Sequence, residues 1–161
     1  MEQGSIASFI DHAVKLARKG MRKGHGGPFG AVIVRQGIIV GEGWNQTFKK
    51  QDPTAHAEVQ AIRHACKKLE TTELAGCVMY CTGEPCPMCM AAIYWAVMDS
   101  VYFANTKEQA ALAGFDDSDL YKELGHPWNA RSLNMAHFPA NAALDLFRHW
   151  EQMKQHTSTI K

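Results

Sequence analysis

Val78-Met79-Tyr80-Cys81-Thr82-Gly83-Glu84-Pro85-Cys86-Pro87-Met88-Cys89 decides how this chain is organised. Residues 78–82, rich in β-branched and aromatic side chains, read as a strand. Gly83-Glu84-Pro85 ends it, and Pro87 is tolerated only in the first turn of the helix that follows, which runs to about Val97. Working outward, 5–23 has helical period in Ile6, Phe9, Ile10, Ala13, Val14, Leu16 and Ala17, with Ser5 as expected N-cap. The runs 31–34 and 38–40, joined by Arg35-Gln36-Gly37, read as a β-hairpin. Residues 45–53 read as a polar loop, 56–69 as a helix, 100–104 as a strand, 107–113 as a helix, 114–119 as a turn and 142–154 as a closing amphipathic helix. Alternating strands and helices predict a layered α/β domain with its sheet covered on both faces.

Composition narrows the function classes. Apolar residues are 46% and charged residues 20% of 161, enough to build a core and unlike a disordered chain. That length predicts one domain over 1–161, with 156–161 as a loose tail. A net charge of +1 argues against a protein that coats nucleic acid or an anionic membrane, although a local basic patch is compatible with it. No stretch has the length and apolarity of a membrane span, and the start lacks the pattern of a secretory signal. Five cysteines without an export signal read as packing residues or metal ligands in a reducing, cytoplasmic compartment.

Two segments carry chemistry. Thr54-Ala55-His56-Ala57-Glu58 and Glu84-Pro85-Cys86-Pro87-Met88-Cys89 each stand at an expected helix start. Singly they are weak signals, because a His beside a Glu is common and Cys-x-x-Cys also serves redox chemistry. In the order His-x-Glu, then Pro-Cys-x-x-Cys, they form the zinc deaminase signature. Cys86 and Cys89 in a first helical turn converge on one ion, and the helix dipole favours their thiolates. His56 makes three protein ligands for one Zn²⁺ and leaves the fourth tetrahedral position for water, the arrangement of a catalytic site. Glu58 is expected off the metal as the proton-transferring group. In mid-helix it would point about 200° away from His56, so His56 must be the non-helical cap with Glu58 in the first turn. Rival readings are poorer. The Cys81-x₄-Cys86-x₂-Cys89 spacing imitates a ferredoxin but lacks a later cysteine. A four-cysteine site using Cys66 or Cys77 would leave His56 and Glu58 without purpose, and both thiols read as core.

At these residues the chain resembles the cytidine-deaminase-fold superfamily, and within it the short bacterial guanine deaminases. The similarity runs through Gly26-Gly27-Pro28-Phe29-Gly30-Ala31-Val32-Ile33-Val34, Asn45, 52–58, 84–89, 92–96 and Ala113-Gly114-Phe115-Asp116-Asp117-Ser118. The resemblance implies a three-layer α/β/α fold with a mixed five-stranded sheet. It also implies hydrolytic deamination of guanine to xanthine, with Glu58 as catalytic residue and Asn45 and Asp117 reading the base. Phe29 and Trp95 would shape the pocket, and backbone N–H groups near Ala57 would hold the base. By themselves, Phe115-Asp116-Asp117 read as a turn and Asn45 as a loop residue bonding its own backbone. Expected partners are a small purine base and a second copy of the chain, with neither nucleic acid nor membrane. The ending at 157–161 has no terminal aromatic, which leaves exchange of C-terminal segments open. Other substrates within the same chemistry are guanosine, cytosine, a triazine or tRNA adenosine. The non-enzymatic alternative is a zinc-stabilised binding module, against which Glu58 stands.

Overall fold

The computed structural model describes residues 3–157. Its elements in chain order are α1 (Gln3–Arg22), β1 (Gly30–Arg35), β2 (Ile38–Trp44), α2 (Thr47–Lys50), α3 (Ala57–Leu69), β3 (Cys77–Gly83), α4 (Pro87–Trp95), β4 (Ser100–Asn105), α5 (Lys107–Leu112), α6 (Ser118–Gly125), a 3₁₀ turn (Trp128–Ala130) and α7 (Asn141–Thr157). The chain divides into two compact units, one up to Tyr121 and one from Lys122 onward.

The first unit is built on a sheet ordered β2-β1-β3-β4. β1 pairs antiparallel with β2 and with β3, and β3 pairs parallel with β4. Gln36 and Gly37 both have positive φ, the geometry that lets a two-residue turn close a twisted hairpin. Side chains of β1 alternate between two cores, as the period of a strand requires. Val32 and Val34 join Leu16 and Tyr80 beneath α1. Ala31 and Ile33 join Met79, Cys81 and the alanines Ala57, Ala61 and Ala65 of α3. α3 lies so close to β2 that a Cβ on Gly43 would come within 2.1 Å of the Ala57 carbonyl oxygen. Bare backbone on β2 and alanines on α3 thus set how near the His56 turn sits to the sheet.

Among the described residues the sheet has four strands, not the five implied by resemblance. After Asn105 the chain enters α5, capped by reciprocal bonds between Thr106 and Gln109. Between Thr106 and Thr157 there is no Val or Ile, so nothing there has strong strand character. Smaller corrections concern boundaries. α1 begins at Gln3, which places Ser5 inside the helix. Residues 47–50 form one helical turn in the expected loop, and Ser118 and Asp119 open α6 instead of ending a turn. In the second unit α7 runs to Thr157, so His156 and Thr157 are helical, while 158–161 of the expected tail lie outside the described residues.

Candidate active site

His56 is the N-cap of α3, with φ −68° and ψ 157°, and Glu58 stands in the helix's first turn. The extended cap residue swings the imidazole off the helical spiral, so both side chains serve one site. Cys86 is likewise the extended N-cap of α4, Pro87 occupies the first helical turn, and Cys89 follows one turn on. His56 Nδ1 lies 3.6 Å from the sulfur of Cys86 and 3.6 Å from that of Cys89. Zinc bonds of about 2.0 Å to nitrogen and 2.3 Å to sulfur, at a tetrahedral angle, separate those atoms by about 3.6 Å. The three ligand atoms lie within 4.8 Å of one another, so the donor set fits one zinc ion.

The electrostatics suit a thiolate centre. A hydrogen bond from Cys89, with others from His56 and the Cys89 backbone, holds the Cys86 thiol down to about 4. Its bond to Cys86 in turn pushes Cys89 up, and burial adds to that. The contact with Cys86 also raises His56 above the usual histidine range. Glu58 is 5% exposed and its Oε2 lies 3.4 Å from the Cys89 sulfur. Burial, above all, raises its carboxyl, opposed by bonds from its own backbone N–H and from Cys89. Cys81 is fully buried, with its sulfur 3.6 Å from the Tyr102 carbonyl oxygen. Burial raises its pKa, so it is a packing thiol beside the site.

A cavity of about 410 Å³ opens onto these groups, lined by His56, Glu58 and Cys86 together with Phe29, Asn45, Phe115 and Asp117. Asn45 Oδ1 accepts the Thr47 N–H and hydroxyl, which fixes the amide with nitrogen as its remaining polar function. Burial raises the Asp117 carboxyl, and the charge of Cys86 adds to that. Phe29 meets Phe115 edge to face, centroids 4.9 Å apart. Gly83, for which the sequence offers no role, gives that ring its room: a Cβ there would lie 3.2 Å from Phe29.

Two expected residues stand elsewhere. Trp95 ends α4 with 86% of its surface exposed and is not among the residues lining this cavity, while Ile93 and Ala96 beside it are the ones buried in the core. Ala57 is fully buried, and its methyl lies in the core beneath β2. What it offers the site is its place in the first turn of α3, where backbone N–H groups lack helical partners. Sequence reasoning missed Thr47, Phe48, Glu84 and Lys107, which also line the cavity. Glu84 Oε2 accepts the Lys107 backbone N–H at 3.0 Å, tying the loop before Cys86 to the start of α5. Only Glu84, directly before Pro85-Cys86, had a signal in its position.

Residues 4–105 match the model of the cytidine and deoxycytidylate deaminase zinc-binding region. The chain belongs to that family. Within it, the chain is 48% identical over 143 residues to the guanine deaminase of Bacillus subtilis, covering 89% of this chain and 92% of that one. An X-ray structure of the Bacillus subtilis guanine deaminase superposes with a TM-score of 0.88 and 45% identity, over 94% of this chain and 95% of the other. A tRNA-specific adenosine deaminase of Aquifex aeolicus is 41% identical over 96 residues, 60% of this chain and 63% of that protein. Of these two relatives, the guanine deaminase is matched at the higher identity and over more of both chains.

Proposed function

We propose that this chain is a zinc-dependent aminohydrolase that converts guanine and water into xanthine and ammonia. What supports it is one cavity shared by the metal-binding group, a buried carboxylate and two polar residues suited to a purine edge. His56, Cys86 and Cys89 would hold the zinc ion, which when bound supplies Lewis-acid activation of water. Glu58, raised by burial, takes one proton from water and delivers it to ring N3 as the water oxygen bonds to C2, then carries the second proton from the C2 hydroxyl to the amine as its bond to C2 breaks. Asp117 accepts a ring N–H, and the Asn45 amide nitrogen donates to a purine acceptor. Adenine has no N1–H in its common tautomer, so it would leave Asp117 unpaired at a cost of about 1–3 kcal/mol. Phe29 and Phe115 wall the base with apolar surface.

The deaminase domain is taken to span 1–161, since the similarity to the Bacillus subtilis protein reaches over 89% of the chain. A homodimer accounts for α7, whose Phe147 and Trp150 are 71% and 56% exposed, a cost that burial against a second copy removes. No helix among the described residues is long and apolar enough to cross a membrane, and the free cysteines suit a cytoplasmic setting.

Ammonia release by the zinc-loaded protein across guanine, guanosine, adenine, cytosine and cytidine, with ultraviolet spectra of the products, tests the activity. Guanine alone giving xanthine is the expected result. Preference for cytosine or adenine would overturn the base assignment, and a monomer in sedimentation would remove the dimer.

A further inference from the structure

The charge of this nearly neutral chain is unevenly placed around the cavity. Glu84, Asp116 and Asp117 line it together with Lys107. Outside that lining, α1 ends in Lys19 and Arg22 and is followed by Lys23, and α2 ends in Lys49 and Lys50. Several of these cations have a structural use. Lys19 and Arg22 stand in a last helical turn, where positive charge offsets the dipole. Lys19 Nζ also lies 5.1 Å from the centre of the Trp44 ring, and Lys50 donates to the buried Gln60 side chain. Lys23 and Lys49 are exposed, and neither forms an ion pair among the described residues.

The backbone brings these two together. Gly24, at φ +65°, donates to the Met21 carbonyl at 2.9 Å, and His25 donates to the Gly20 carbonyl at 3.0 Å, a Schellman closure that folds the chain back over the end of α1. The His25 carbonyl then accepts the N–H groups of Phe48 and Lys49, each at 3.1 Å. Lys49 is thereby held beside the loop that carries Lys23; Phe48, directly before Lys49, and Gly27, two residues after His25, both line the cavity. Burial and the charges of Lys49, Lys23 and Lys19 all depress the His25 imidazole, which marks how closely the cations crowd. His25 Nδ1 accepts from Trp44 Nε1–H at 3.1 Å, so the proton of the neutral ring is on Nε2, one more donor for an anion. Phe48, 74% exposed, adds an apolar surface at the cavity's edge.

We propose that Lys23 and Lys49, flanking His25 at the cavity's edge, receive the phosphate of a purine nucleoside monophosphate whose base enters the cavity. A dianionic phosphate is drawn to paired ammonium groups. At about 410 Å³ the cavity falls in the range that holds ligands larger than a bare base. The choice of guanine as that base rests on the deaminase reading above, whereas the phosphate contact rests on the lysines alone.

Calorimetry of the zinc-loaded full chain with guanosine and with guanosine 5′-monophosphate tests it, at low and at raised salt. The monophosphate is expected to bind at least about tenfold tighter than guanosine at low salt, with the advantage shrinking as salt rises. The double variant Lys23→Glu, Lys49→Glu should abolish that advantage while guanine turnover stays unchanged. Equal affinities, no binding of either ligand, or an advantage that survives the charge reversal would each overturn the proposal. Guanine turnover, measured separately, distinguishes the two readings. A phosphate-dependent advantage without turnover sustains this site and sinks the deaminase; turnover without the advantage does the reverse.

Discussion

Asn45 Oδ1 accepts two hydrogen bonds from Thr47, one from the backbone N–H at 3.2 Å and one from the hydroxyl at 2.9 Å. An amide suits a mixed edge of a base only if both its ends are free. Here the oxygen is spent inside its own turn, and the side chain meets the cavity as a donor. Asn45→Asp keeps an acceptor for Thr47 and replaces that donor by an acceptor. kcat/KM for guanine is expected to fall about ten- to a hundredfold, the equivalent of about 1–3 kcal/mol. Zinc content and melting temperature should stay within error; unchanged kinetics would remove Asn45 from base reading.

Glu58 has one oxygen 3.4 Å from the Cys89 sulfur yet stands outside the metal-binding group. Glu58→Gln preserves shape and removes the proton acceptor. Turnover should fall by at least about 10²- to 10⁴-fold with one zinc per chain retained. Metal analysis beside steady-state rates checks both halves, and a variant that loses zinc would make the carboxylate a ligand after all.

Asp117 carries a pH signature. Burial raises its carboxyl above the ordinary range, so its charged form is lost at a higher pH than for an exposed aspartate as the solution is acidified. If the ionised form reads the base, kcat/KM rises with pH through that raised value. Asp117→Ala should cut kcat/KM and erase this acid limb without releasing zinc. A pH profile that keeps the same limb in the variant would assign it to another group.

Gly83 serves Phe29. An added Cβ would sit 3.2 and 3.3 Å from two ring atoms, closer than ordinary contact. Gly83→Val therefore overpacks the cavity floor and should cost about 1–3 kcal/mol of stability. By pushing Phe29 off its contact with Phe115, it should raise KM for guanine more than it lowers kcat. Thermal melts and Michaelis parameters measure the two effects, and an unaltered KM would separate Phe29 from substrate.

Legibility followed length and locality. β1, β3, α3 and α4 were readable to within about two residues, because each carries its own period or turn chemistry over several residues, whereas β2 runs through Gly41 and Gly43 to Trp44, four residues past the expected end. α2 was not, since one turn of Thr-Phe-Lys-Lys has no period to detect. The fifth strand came from resemblance, and the residues after Asn105 do not have the composition to form it. Trp95 looked like a pocket residue by the same resemblance, but its end of α4 leaves it 86% exposed.

The sequence by itself determined the metal-binding group, because caps and first turns are local. An extended residue before Ala57 and another before Pro87 place His56, Glu58, Cys86 and Cys89 by backbone geometry that a few neighbouring residues dictate. Only the tertiary structure decided what surrounds them. The cavity walls come from residues 27–29, 45–48, 84 and 107–117, which meet because α3 presses onto the bare glycines of β2 and β3 runs beside β4. No spacing along the chain encodes that meeting, since it depends on how far apart packed layers come to rest.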